Sequence, residues 1–140
     1  INVQRHKAFS YHGTHDDLSW SLSLGEYQED NSFKANYVGL SSQYDTDKVT
    51  LQAELFMQNS EDSQEKPYSG YLQSTWHLKE HHDAVIRFER YDDHNIDVEE
   101  EIYLLGYVYR PNPNMALKGE YVYHSKLPLN RFVYSFSVLF

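Results

Sequence analysis

The sequence predicts an all-β chain, an antiparallel up-and-down β-barrel that crosses a membrane with strands. Three observations carry this. The last nine residues alternate strictly, helical periodicity is nearly absent, and compact connections alternate with longer acidic ones along the chain. Phe132, Tyr134, Phe136, Val138 and Phe140 take every second position at the C-terminal end, with Val133, Ser135, Ser137 and Leu139 between them. A period of two puts the five large side chains on one face of a strand. A terminal strand in water gains little from such a face, whereas a lipid-facing strand needs it.

From Leu18 onward about eight strand-like runs follow one another. Leu18 to Leu24 alternates leucine and tryptophan with serine. Phe33 to Tyr44 is a run whose facing is ambiguous. Val49, Leu51, Ala53, Leu55 and Met57 oppose Thr50, Gln52, Glu54 and Gln58. Gly70, Leu72, Trp76 and Leu78 oppose Tyr71, Gln73, Thr75 and His77. Ala84, Ile86 and Phe88 oppose Arg87 and Glu89. Tyr103, Leu105, Tyr107 and Tyr109 form a run whose other face, with Leu104 and Val108, is also apolar. Leu117, Gly119, Tyr121 and Tyr123 oppose Lys118, Glu120 and His124, and the terminal run completes the set.

Three connections are compact and rich in turn formers: Asp45-Thr46-Asp47, Lys79 to Asp83, and Pro111 to Asn114. They alternate with Gln28 to Ser32, Asn59 to Pro67, Asp92 to Glu101 and the shorter Ser125 to Asn130. That alternation is the signature of short turns at one barrel end and loops at the other. The domain reading is therefore residues 18–140 as barrel strands, preceded by residues 1–17 as an irregular segment or partial strand. Ile1 to Arg5 has no apolar core of a signal peptide, so the chain reads as a mature protein or a fragment.

Composition sets outer limits. The net charge of −9 argues against a nucleic-acid partner, which would select clustered Lys and Arg. No apolar run approaches the roughly 20 residues of a membrane helix, and alternation dilutes the apolar signal of a barrel. The absence of cysteine is compatible with export. Tyrosine outnumbers phenylalanine 13 to 7, which suits a lipid–water boundary. Trp76, Tyr91, Tyr109 and Tyr123 near strand ends read as an aromatic girdle.

The terminal alternation resembles the C-terminal insertion signal of bacterial outer-membrane β-barrels, in which a final Phe is recognised by the barrel-assembly machinery. A narrower resemblance lies in Val85 to Tyr91, Leu105 to Asn114 and Leu117 to Tyr121. This block is similar to the closing strands of the porin family that includes the phosphate-selective porins. The resemblance spans roughly residues 35–140 and implies a Gram-negative outer-membrane location, with lipid and lipopolysaccharide around the barrel. It also implies a larger, commonly sixteen-stranded and trimeric protein. The chain is thus read as a C-terminal half of such a barrel or as a small barrel of its own, with a homo-oligomer or other barrel subunits as partners.

Candidate pore-lining residues are Arg87, Glu89, Lys118, Glu120, Glu54, Gln52 and Gln73, all opposite the apolar stripes. The four charged residues on the later runs are expected on neighbouring strands, with cross-strand pairs of opposite sign. A charged pore wall and a structural ladder of ion pairs are both open readings. His77, His81 and His82 suit a metal site poorly, since positions four apart on a strand lie about 13 Å apart. His124 and Ser125 are adjacent on a run and so point to opposite faces, which disfavours a nucleophile–base pair. Glu99-Glu100-Glu101 reads as a solvated loop. No cofactor, metal site or catalytic residue is expected. The functional expectation is a porin-like channel for small hydrophilic solutes. The alternatives are a non-conducting small barrel that serves as an anchor or envelope subunit, and a soluble ligand-binding barrel with its apolar face inward.

Overall fold

The computed structural model describes residues 3–29, 34–61, 66–94 and 96–138. They form one antiparallel sheet of nine strands whose spatial order follows the chain. The strands are β1 (Val3–His15), β2 (Leu18–Glu29), β3 (Lys34–Asp45), β4 (Val49–Ser60), β5 (Tyr68–Lys79), β6 (His82–Asp93), β7 (Val98–Asn112), β8 (Met115–His124) and β9 (Arg131–Val138). No described residue is helical. Phe140 and Phe33, on which two of the sequence expectations fall, lie outside the described residues.

Strands β2 to β6 are each 12 residues long. At roughly 3.3 Å per residue and a tilt of about 40°, such a strand rises about 30 Å, the thickness of a bilayer's hydrocarbon core. The hairpin turns at one end are short. Asp16-Asp17 and Glu80-His81 each use a residue in the left-handed region, Asp16 at φ 49° and His81 at φ 73°. In the β3–β4 turn the Thr46 hydroxyl donates to the Val49 carbonyl at 2.9 Å and accepts from the Val49 amide at 3.0 Å. The Asp16-Asp17 turn completes the short–long rhythm, because Val3–His15 is a strand. The segment, with three histidines among its 13 residues, has no clean period, so its strand character emerges only from pairing with β2.

Directly opposed residues share a face, so the registers assign every side chain. One row reads Trp20, Ser42, Ala53, Leu72, Phe88, Tyr103 and Tyr123; the next reads Leu18, Tyr44, Leu51, Ser74, Ile86, Leu105, Tyr121 and Phe132. This apolar face is open: Leu72 is 61% exposed, Phe132 69% and Tyr134 80%. The opposite face is polar, yet it holds the buried residues Ala35, Asp83, Val85, Glu100, Val108 and Val122. In a single-layer sheet, burial confined to one face means that the sheet curls toward it. The polar face is the inner one.

The two ambiguous strands are thereby settled. Val38, Leu40 and Tyr44 of β3 face outward with the apolar rows, and Tyr37, Gly39, Ser41 and Gln43 face inward. On β7, Tyr103, Leu105, Tyr107 and Tyr109 face outward, while Leu104 and Val108 line the inner face. Nine strands in an antiparallel meander leave β1 and β9 running in the same direction. These two edges therefore cannot pair antiparallel with each other, and a tenth partner, or a larger odd number, is needed for regular closure.

Candidate functional site: the polar inner face

The inner face from β1 to β5 is mostly hydroxyls and amides. Across β2 and β3 the Ser21 and Ser41 hydroxyls are 2.7 Å apart. Gln73 donates to Gln52 at 2.7 Å, Gln52 to Gln43 at 2.8 Å, and Gln43 to the Asp45 carboxylate at 2.5 Å. Three amides are thus oriented in one direction by a carboxylate at the end of the row, and each polarised bond strengthens the next. Gln52, Gln73 and Glu54 lie on this face, as the alternation of their strands requires.

Arg87, Glu89, Lys118 and Glu120 also lie on it, but not as cross-strand pairs. Strand β7 separates β6 from β8. The residues opposite Arg87 are Gln73 and Leu104, and those opposite Lys118 are Val108 and Ser135, so no acid faces either cation. Each cation instead reaches the glutamate two positions along its own strand. Arg87 Nε is 2.6 Å from Glu89 Oε1, and Lys118 Nζ is 2.7 Å from Glu120 Oε1. The Arg87 guanidinium also lies 4.0 Å above the Tyr71 ring centroid.

Near the short turns, Asp83 is a buried carboxylate with two partners. His77 Nδ1 lies 2.8 Å from its Oδ1, and the Arg110 guanidinium donates to its Oδ2. His77 Nε2 is 3.2 Å from the Thr50 hydroxyl. Three hairpin ends, on β4–β5, β6 and β7, are thereby tied together. His82 points to the other face, where its Nδ1 is 2.5 Å from the Tyr107 hydroxyl and its ring stacks 4.8 Å from Tyr109. The histidines of this region are divided between two faces, and among the described residues no three His, Asp or Glu side chains group as metal ligands.

At the loop end the acidic run departs from the sequence expectation. Glu99-Glu100-Glu101 is not a solvated loop but the start of β7, and Glu100 is 4% exposed. Its carboxylate accepts from the Lys126 amide at 3.2 Å, the Leu127 amide at 3.1 Å and the Ser125 hydroxyl at 3.5 Å. Two successive amides and a hydroxyl form a small anion cradle that binds the β8–β9 connection to β7. The Glu99 carboxylate, hydrogen-bonded to the exposed Lys126 ammonium, pushes that lysine above its usual pKa. Glu100→Gln removes the charge-assisted bonds and is expected to free this connection, so trypsin should cut the folded protein after Lys126 several-fold faster. Limited proteolysis with mass spectrometry reads this, and an unchanged rate would show that the cradle does not hold the connection.

The same geometry bears on His124 and Ser125. The Ser125 hydroxyl accepts from the Glu101 amide at 3.1 Å and faces Glu100, while His124 Nδ1 lies 3.7 Å from Glu100 Oε1. The hydroxyl is engaged by backbone and carboxylate and not by the imidazole, so the trio lacks a nucleophile–base contact. Among the girdle residues, Trp76 and Tyr109 face outward near the short turns and Tyr123 faces outward near the loops. Tyr91 does not belong to the girdle. It pairs with Ser69 and Glu100 on the inner face, because the period-two alternation puts Arg90 outward beside it. Phe132, Tyr134, Phe136 and Val138 share the outer face of β9, opposite Tyr121, Gly119, Leu117 and Met115.

No protein-family model and no curated protein matches the sequence. Solved structures do. An anion-selective porin from Comamonas acidovorans superposes with a TM-score of 0.73 at 19% identity, over 87% of this chain and 39% of that one. The KdgM porin, solved in complex with disordered oligogalacturonate, superposes with a TM-score of 0.66 at 11% identity, over 96% of this chain and 74% of that one. The fold is that of an outer-membrane porin wall. The nine strands span well under half the length of the anion-selective porin.

Proposed function

We propose that the nine strands form part of the wall of an outer-membrane diffusion channel for small hydrophilic solutes or ions. The observation that carries this is where burial falls: the buried residues named above all lie on the polar face and the apolar face is open, the pattern of a sheet that curls around its polar face. A soluble ligand-binding barrel needs the reverse. The anchor reading drew on a count of eight strands, which close as a side-chain-filled barrel. Nine strands with co-directional edges give that reading no such support, whereas a wider barrel with further strands accommodates them.

Selectivity is not transferred from either porin, nor from the resemblance of residues 84–121 to phosphate-selective porins. The cations of the β6–β8 inner face are matched by acids: Arg87 by Glu89 and Lys118 by Glu120 along their strands, and Arg110 by Asp83 near the short turns. Glu54 carries no ion pair among the described residues. Stable ohmic steps in a planar bilayer are the expected result for the purified full chain. In the same assay Arg87→Glu with Lys118→Glu should move the reversal potential toward cation preference, and an unmoved potential assigns the two pairs to structure.

Insertion belongs to the same proposal. The outer face of β9 supplies the alternating tract that the assembly machinery would read, with Phe140 as its end. Phe140→Ser is expected to lower the yield of folded protein in outer membranes. Assembly at the parental level would remove the insertion-signal reading.

A further inference from the structure

We infer that the inner face carries an aromatic platform, formed by His6, Tyr37 and Phe56, that binds the apolar C–H face of a neutral sugar ring. This deepens the channel reading and rests on it, because the platform is reached through the lumen. Three observations converge. The first is the ring geometry. Tyr37 and Phe56 stack with centroids 5.6 Å apart and 27° between planes, and His6 and Tyr37 with 5.9 Å and 25°. His6 Nε2 lies 2.9 Å from the Tyr37 hydroxyl, which fixes the third ring to the other two.

The second is the glycine floor. A Cβ at Gly25 would lie 2.2 Å from the Tyr37 ring, so that ring rests on bare backbone of β2. Phe56 leans the same way, and a Cβ at Gly39 would lie 3.8 Å from it. The rings therefore tile across the sheet from β4 to β1. With strands about 4.8 Å apart, three inter-strand steps give a platform about 14 Å wide. Phe56 remains 37% exposed on a face that is otherwise wet.

The third is the surrounding chemistry. The inner-face rows through the platform read His6, Tyr27, Ala35 and Ser60; then Ala8, Gly25, Tyr37 and Gln58; then Ser10, Ser23, Gly39 and Phe56. None of these residues is Asp, Glu, Lys or Arg. An acidic ligand would select cations, and none stands in these rows. A sugar ring has an apolar face of C–H groups and a rim of hydroxyls. The aromatic faces, negative at their centres, attract the C–H groups. Ser10, Ser23 and Gln58 supply hydrogen-bond partners for the rim. A hydrocarbon would meet hydroxyls and amides around the rings, and an anion would find no counter-charge in these rows.

The test is single-channel recording on the full chain in a planar bilayer, with maltohexaose as the neutral probe and a galacturonate hexamer as the acidic one. The expected result is transient current block by maltohexaose, weaker block by the acidic probe, and about tenfold weaker maltohexaose binding in Phe56→Leu, which keeps apolar volume but removes the ring. Phe56→Tyr should retain the block and so controls for misfolding. Equal block in the parent and in Phe56→Leu overturns the platform, and stronger block by the acidic probe overturns the neutral-sugar assignment. Inserted protein that passes no current refutes the channel reading instead. Titration calorimetry of the folded protein with maltohexaose then decides the platform: heat that Phe56→Leu abolishes supports it, and no heat overturns it.

Discussion

Leu72→Arg is expected to block stable folding of the chain into lipid vesicles. Leu72 lies near the middle of β5, 61% exposed, between Ala53 and Phe88 on the outer face. In water an exposed leucine replaced by arginine costs little and raises solubility. At the midplane of a bilayer the same change costs about 2–4 kcal/mol, most of what a marginal fold has to spare. The adjacent Gln73 points inward and lies opposite Arg87, so Gln73→Glu, which adds a charge on that face beside a cation, should cost well under about 1 kcal/mol in the same vesicles. Urea titrations of both variants in lipid, followed by tryptophan fluorescence, measure the difference. If Leu72→Arg folds as well as Gln73→Glu, the outer face does not meet hydrocarbon, and the membrane orientation is wrong.

Asp83→Ala is expected to be the most costly change on the inner face. The carboxylate is 8% exposed and serves both Arg110 and His77. Without it, His77 Nδ1 loses its acceptor and the guanidinium loses its counter-charge. Arg110 is half exposed and can regain water, so the penalty stays below that of a fully buried pair, about 2–3 kcal/mol. A double-mutant cycle with Arg110→Met isolates the pair, and a coupling energy above about 1 kcal/mol is expected. A coupling near zero would make the contact an exposed pair of the weak kind and shift the role of Asp83 to His77.

What could be read from sequence was what period two controls. The alternation in β2, β4, β5, β6, β8 and β9 matches the faces in the registers because each of those strands has one face clearly more apolar than the other. The seven proposed wall residues all fall on the inner face for that reason. On β7 both faces are apolar, since Ile102, Leu104 and Val108 sit where the curl excludes water, and alternation loses its contrast. On β3 the small residues Gly39, Ser41 and Ser42 suit either face, and only pairing with β2 and β4 decides. Partnership was less legible than facing. Arg87 and Lys118 pair along their strands because β7 presents leucine and valine opposite them, a matter of register that one sequence does not disclose. Glu100 was hidden by composition: a run of three glutamates reads as a charged loop, while the middle one faces inward and is held by backbone amides two strands' length downstream. The platform left one trace that a closer reading can use. Gly25 and Gly39 fall at inner-face positions of strands whose other members have side chains, and glycine there marks a place where a neighbouring ring lies down.

The order of the strands has a kinetic consequence. Each of the eight pairings joins elements that are neighbours in the chain, so every one can form by closing a hairpin of a few residues. Such a sheet grows as a zipper: each new strand docks on a template already laid down, and the entropy lost per step stays small. On the channel reading proposed above, the cost of bringing distant chain segments together is postponed to the step in which β1 and β9 meet their further partners. Until then the two edges each offer a row of unsatisfied amides and carbonyls that hydrocarbon does not tolerate. On that reading the zipper runs at the membrane surface, the sheet sinks into the bilayer only as both edges are covered, and insertion and closure are one act.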